Sequence, residues 1–222
     1  MPLDHYRIKG VTWYQGESNA HNIELHEQLF NMFWQSWCRY FGNPTLPIYF
    51  VQLSGLSRPS WPAFRDSQQR LVGPNMGMVV SHDHGDSLDV HPRNKRPIGE
   101  RLAWKALKQD YGRKSIVADG PLYPQAVQGP NGILVRFFKE NEGLHPSSGD
   151  KIIGFEVAGK DGIFYSAEAR IEGNSVLLTC SEVTEPAEVR YAWQPFTRAN
   201  LVNGAGLPAS TFKIRVSRRK VP

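Results

Sequence analysis

The sequence predicts an α/β protein in two parts: a doubly wound parallel sheet over residues 1–119, then an antiparallel β-sandwich over residues 120–222. Three observations predict it. Between residues 8 and 112, short apolar runs alternate with longer runs of helical period. Polar clusters follow the first and third of these apolar runs. From Tyr123 onward there is no good helix, and short alternating runs are separated by turns rich in Gly, Asn and Asp.

The first run, residues 8–14, is β-branched and aromatic (Ile8, Val11, Thr12, Trp13, Tyr14) and reads as a buried strand. It ends abruptly in Gln15, Gly16, Glu17, Ser18 and Asn19. Residues 21–41 read as a helix, with Ile23, Leu25, Leu29, Phe30, Phe33, Trp34, Trp37 and Cys38 at helical spacing toward a sheet. Gly42, Asn43 and Pro44 stop it. Residues 47–53 are a second strand and residues 63–71 a short helix. Residues 76–80 are a third strand, running straight into Ser81, His82, Asp83, His84, Gly85 and Asp86. Residues 94–111 are a helix with Ile98, Leu102, Ala103, Ala106 and Leu107 on one face, Asn94 at its cap and Gly112 at its end. Three strands make a small sheet, so the run reads as the second half of a doubly wound domain. In the second part the expected strands are residues 133–138, 152–157, 163–169, 175–180 and 189–193.

Composition sets limits. With 222 residues, 40% of them hydrophobic and 21% charged, the chain can bury a sizeable core. The net charge of +5 owes much to Arg215, Arg218, Arg219 and Lys220, a solvated tail, so no nucleic-acid partner is expected. No apolar run is long enough to span a bilayer, and no membrane partner is expected. Cys38 and Cys180 read as small hydrophobes, and nothing demands a disulfide between them.

The chemistry lies in the two polar clusters. Parallel strands place both on the carboxyl rim of the sheet, where such folds bind ligands. In the first, a glycine lets backbone N–H groups approach a ligand. The plainer reading is a strand-to-helix turn with Ser18 or Asn19 as the helix cap. In the second, His91 stands two residues after Asp89 and five after Asp86. A carboxylate beside an imidazole fixes its tautomer and supports the imidazolium formed when a hydroxyl is deprotonated. The same stretch admits a metal reading, through His82, Asp83, His84, Asp86, Asp89 and His91, and a bland one, a surface loop with incidental histidines.

Four blocks then carry a resemblance: PLDHYRIKGVTWYQGESNA (2–20), WPAFRDSQQ (61–69), DVHPRNK…IGERLA (89–103) and RYAW…NLVNGAGLPAS (190–210). Together they resemble the sialate O-acetylesterase family, a branch of the SGNH (GDSL-like) hydrolases, in family order over nearly the whole chain. The resemblance implies a flavodoxin-like hydrolase sheet and an esterase that removes acetyl groups from O-acetylated sugars without a cofactor or metal. It implies His91 as general base, Gln15 as an oxyanion-hole side chain, and Gly16, Ser18 and Asn19 against the substrate. Glu17 is the preferred partner of the histidine and Asp89 the second. The superfamily's DxxH spacing fails here because Leu88 stands three residues before His91. The family's nucleophile lies in an earlier GQSN-like block, and none precedes residue 8. The expectation is therefore a chain that begins mid-domain, with GESN (16–19) offering Ser18 as a substitute nucleophile. The alternative is a catalytically incomplete carbohydrate-binding fragment. The family's usual GLPASPFRTD ending departs here to GLPASTFKIR. The resemblance also suggests a secreted or periplasmic full-length protein, and an unpaired sheet edge would favour self-association.

Overall fold

A computed structural model describes residues 6–138 and 142–217. Residues 2–5 of the first block and the basic residues 218–220 lie outside the described residues.

Three parallel strands, β1 (Val11–Trp13), β2 (Ile48–Val51) and β3 (Met76–Val79), form one sheet in the order β1-β2-β3. Three helices connect and cover it: α1 (Ile23–Tyr40), α2 (Trp61–Arg70) and α3 (Arg96–Gln109). Strands β2 and β3 are buried throughout, which explains their unbroken apolar sequences.

Helix α1 follows its predicted face only in part. Phe30 and Cys38 are buried, and Phe30 meets Phe50 of β2 edge-on at 5.0 Å between ring centroids. Burial of each such aromatic contributes roughly 1.5–3 kcal/mol. Leu25 and Leu29, expected to face the sheet, are about half exposed. The cap also differs: Asn22, not Ser18 or Asn19, precedes the helix, because residues Glu17–Asn19 form a short 3-10 turn of their own.

Helix α3 turns a different face inward from the one its apolar residues describe. Ile98, Arg101 and Lys105 are buried, whereas Ala103 and Leu107 are exposed. The two cations go inside because carboxylates wait there. Lys105 forms a fully buried ion pair with Asp119. Arg101 holds Asp83 with both guanidinium nitrogens, at 2.8 and 2.6 Å, and donates to the Val80 carbonyl at 2.7 Å. Lys95, not Asn94, occupies the cap position, and the helix ends at Gln109, three residues before Gly112.

The second part departs from the expected sandwich. Its strands β4 (Gln125–Gly129), β5 (Gly132–Arg136), β7 (Phe155–Ala158), β8 (Phe164–Ser166), β9 (Glu168–Glu172), β10 (Ser175–Thr179), β11 (Glu188–Tyr191) and β13 (Phe212–Ser217) join in one sheet, ordered β8-β7-β11-β13-β4-β5-β10-β9. A small pair, β6 (His145–Pro146) with β12 (Leu201–Val202), lies outside it. Inward residues from both ends of the large sheet, among them Val135, Val157, Val176, Val189 and Phe212, fill one core. The sheet therefore curls on itself, nearly closing into a barrel, instead of splitting into two layers. It is also mixed, because β13 pairs parallel with β4 while its other neighbour, β11, is antiparallel.

Buried polar bonds join the two sheets. Arg65 of α2 donates to the carbonyls of Ala192 (2.9 Å), Gln194 (2.6 Å) and Pro195 (3.1 Å). Asn203 donates to the Asp119 carbonyl at 2.9 Å.

Candidate active site on the carboxyl rim of the parallel sheet

The parallel order carries the segments after β1, β2 and β3 to the same rim. A row of hydroxyls crosses it. Tyr14 OH lies 3.0 Å from Ser54 Oγ, Ser54 Oγ lies 2.8 Å from Ser81 Oγ, and Ser81 donates to the Gln52 carbonyl at 2.6 Å. Each residue follows a different strand, so the row ties the three strand ends together. Burial pushes the Tyr14 phenol up from its ordinary value, only partly offset by the two serines, so it is a neutral hydrogen-bonding group. Sequence reasoning missed this row, since a serine after a strand looks like any turn residue.

Gly16 opens the turn after β1 at φ +153°, and a β-carbon there would stand 2.7 Å from the Phe64 ring. Glycine is thus required twice over, by conformation and by space. Its N–H donates to Glu17 Oε2 at 3.0 Å. The loop after β3 is fixed by another close approach: a β-carbon on Gly85 would lie 2.3 Å from the Gly55 nitrogen. Ser57 N–H also donates to the Ser87 carbonyl at 3.1 Å. Two glycine backbones in contact hold the histidine-bearing loop against the loop after β2.

The candidate residues divide between two hollows. Glu17, Ser18 and His91 line one of about 410 Å³, together with Tyr14, Arg58 and Lys95. Gln15, Gly16 and Asn19 line the neighbouring one, of about 270 Å³, between the turn and α1. Gln15 donates its amide to Asn19 Oδ1 at 2.8 Å, which turns it toward α1 and away from His91. Asp89 lies next to the first hollow. Its Oδ1 is 3.5 Å from His91 Nδ1 and accepts the histidine's own N–H at 2.9 Å. The His91 side chain is 79% exposed, open to a ligand.

The other acidic and imidazole groups of the loop face elsewhere. His82 is fully buried and its Nε2 lies 3.0 Å from the Ala209 carbonyl. Burial, partly countered by Asp83, pulls its pKa down to about 4, so it is neutral. Burial pushes the Asp83 carboxyl up, but the two-pronged bond from Arg101 more than reverses this and leaves it below the usual range. Asp86 accepts N–H groups from Leu88 and Asp89, which hold its carboxyl low. Among the described residues no three His, Cys, Asp or Glu side chains gather as a metal site would need. The histidines that looked like ligands in sequence point to different places.

A parallel-sheet rim with a histidine, adjacent carboxylates and a glycine turn is where such folds place a ligand. Comparison with known proteins makes this specific. Residues 2–108 match the family described as carbohydrate esterase, sialic acid-specific acetylesterase. The sialate O-acetylesterase of Mus musculus is 33% identical over 159 residues, covering 60% of this chain and 29% of that protein. That of Homo sapiens is 32% identical over 151 residues, covering 57% and 29%. The crystal structure of a novel carbohydrate acetylesterase from Xanthomonas citri superposes with a TM-score of 0.90 at 33% identity, covering 96% of this chain and 51% of that one. The chain is thus similar to carbohydrate esterases. It is similar to the curated sialate O-acetylesterases over less than a third of their length, and it spans about half of the solved acetylesterase chain.

Proposed function

We propose that this chain carries the general-base side of a serine-type carbohydrate O-acetylesterase site. His91 takes the proton of the attacking hydroxyl and returns it to the leaving sugar oxygen. Asp89 orients the imidazole through Nδ1, with Glu17 as the second carboxylate of the hollow. The observation that carries this reading is the convergence of His91, Glu17 and Ser18 on one open hollow at the sheet's carboxyl rim. Three further features support it. The family match covers the residues that build this rim. Gly16 allows the sharp turn that carries Glu17 and Ser18 to this hollow. Arg58 and Lys95 add positive charge where an oxyanion or an acidic sugar would lie.

In this reading Ser18 contacts substrate and is not the attacking serine. Gln15 would reach an oxyanion only by giving up its bond to Asn19, so it serves the oxyanion after substrate binds. The test is hydrolysis of 4-nitrophenyl acetate by the folded 222-residue chain and by its Ser18→Ala variant. The expected result is no difference between the two. Activity in the parent that disappears in Ser18→Ala would move the nucleophile to Ser18.

A further inference from the structure

A further hollow lies away from this rim. It lies at the open mouth of the curled sheet, has a volume of about 570 Å³, and shares no residue with the His91 hollow. Its floor is apolar: Val157 and Leu178 are fully buried and Ile133 nearly so. Its wall is polar, made of hydroxyls and carboxylates. Glu168 and Glu182 stand on it, and no lysine or arginine is among the described residues that line it. Glu182 Oε2 already accepts from Ser181 at 2.8 Å. Gln128 supplies the most telling group. Its Nε2 donates to the Gly129 carbonyl at 3.1 Å, while its Oε1 is buried without a hydrogen-bond partner. A buried acceptor left unmatched costs about 1–3 kcal/mol, so a retained one calls for a donor from elsewhere.

An apolar floor beneath a ring of acceptors and hydroxyls has the complementarity of a sugar ring. The ring's C–H face covers the floor, and its hydroxyls donate to the wall. Mouths of barrel-like sheets commonly hold such ligands. We infer that this mouth is a second, non-catalytic site for a neutral sugar unit, with the Glu168 carboxylate accepting its hydroxyls at the wall and Gln128 Oε1 doing so once its side chain turns into the hollow. No aromatic ring is among the described residues that line it. Tyr191 is in the core, and Phe164 and Trp193 are covered by Arg190, whose guanidinium lies 3.9 and 5.9 Å from their rings. This inference is independent of the esterase reading.

The experiment is amide-shift NMR on the isotope-labelled 222-residue chain, titrated separately with the methyl glycosides of glucose, galactose and xylose and with putrescine. At least one glycoside is expected to shift the amides of Gln128, Thr179, Ser181 and Glu182. Gln128→Leu should weaken that binding about tenfold or more, equivalent to about 1.4 kcal/mol, with its fold checked by the amide spectrum. Glu168→Gln, on an exposed position, should weaken it by a smaller factor and serves as the variant least exposed to misfolding. The inference is overturned if no glycoside shifts these amides, if both variants bind as the parent does, or if only the diamine binds.

Discussion

Asp89 Oδ1 lies 3.5 Å from His91 Nδ1 and accepts the His91 backbone N–H at 2.9 Å. One carboxylate oxygen thus faces both the ring and the main chain of the same histidine. The bond to the backbone places the ring nitrogen near the carboxylate before substrate arrives. Glu17, by contrast, spends an oxygen on the Gly16 N–H at its own turn. We therefore propose Asp89 ahead of Glu17 as the partner of His91, the reverse of the preference drawn from the resemblance. In a form of the protein that deacetylates, Asp89→Asn should reduce kcat more than Glu17→Gln does. A larger loss in Glu17→Gln would restore the other order.

Gly85→Ala tests how the histidine loop is held. Gly85 has φ −76° and ψ 171°, which alanine adopts freely, so any effect comes from the collision with Gly55. Overpacking of this kind costs about 1–3 kcal/mol. The expected outcome is a lower melting temperature together with shifted amide resonances around residues 82–91. Unchanged stability would mean that the two loops separate freely.

Lys105 and Asp119 form a buried pair at the junction of the two sheets. Removing one partner of such a pair typically costs 3–5 kcal/mol, because the other charge is left buried. Lys105→Met should therefore destabilise strongly. The double change Lys105→Met with Asp119→Leu should recover part of the loss. Chemical denaturation of the three proteins gives the comparison.

His82 makes stability depend on pH in acid. Its pKa is about 4 in the folded chain, where Asp83, Arg65 and Arg101 are its charged neighbours, against an ordinary 6.5. The unfolded chain therefore binds the extra proton first as pH falls, and the folded state loses stability between about pH 6.5 and pH 4. The full loss is on the order of 3 kcal/mol. Melting temperatures over this range should fall less steeply in His82→Asn than in the parent. Parallel curves would show that His82 contributes nothing to the slope.

Much of this was legible in the sequence, for identifiable reasons. The buried runs before Gln15 and Ser81 marked strands whose polar sequels had to share a rim, and they do. Strand β13 was missed although Phe212, Ile214 and Val216 alternate, because the segment follows directly on the loop around Pro208. The inward face of α3 was misassigned because periodicity counts apolar residues. It cannot see that Asp83 and Asp119, far away in sequence, would draw Arg101 and Lys105 inside. In the site, His91 was singled out by residue type and position after a strand, and Glu17 and Gln15 by the resemblance. The structure brings His91 and Glu17 to one hollow, while the turn at Gly16 and the bond to Asn19 face Gln15 toward α1.

The central claim is that His91 is the general base, and the most direct measurement is acetate release from an O-acetylated sugar before and after His91→Ala. It should be made in a form of the protein that hydrolyses acetyl esters, with folding of the variant checked alongside. Loss of a general base costs roughly 10²–10⁴-fold in rate. The account predicts a fall in that range with the fold intact. A folded His91→Ala protein that releases acetate at the parent rate would contradict it.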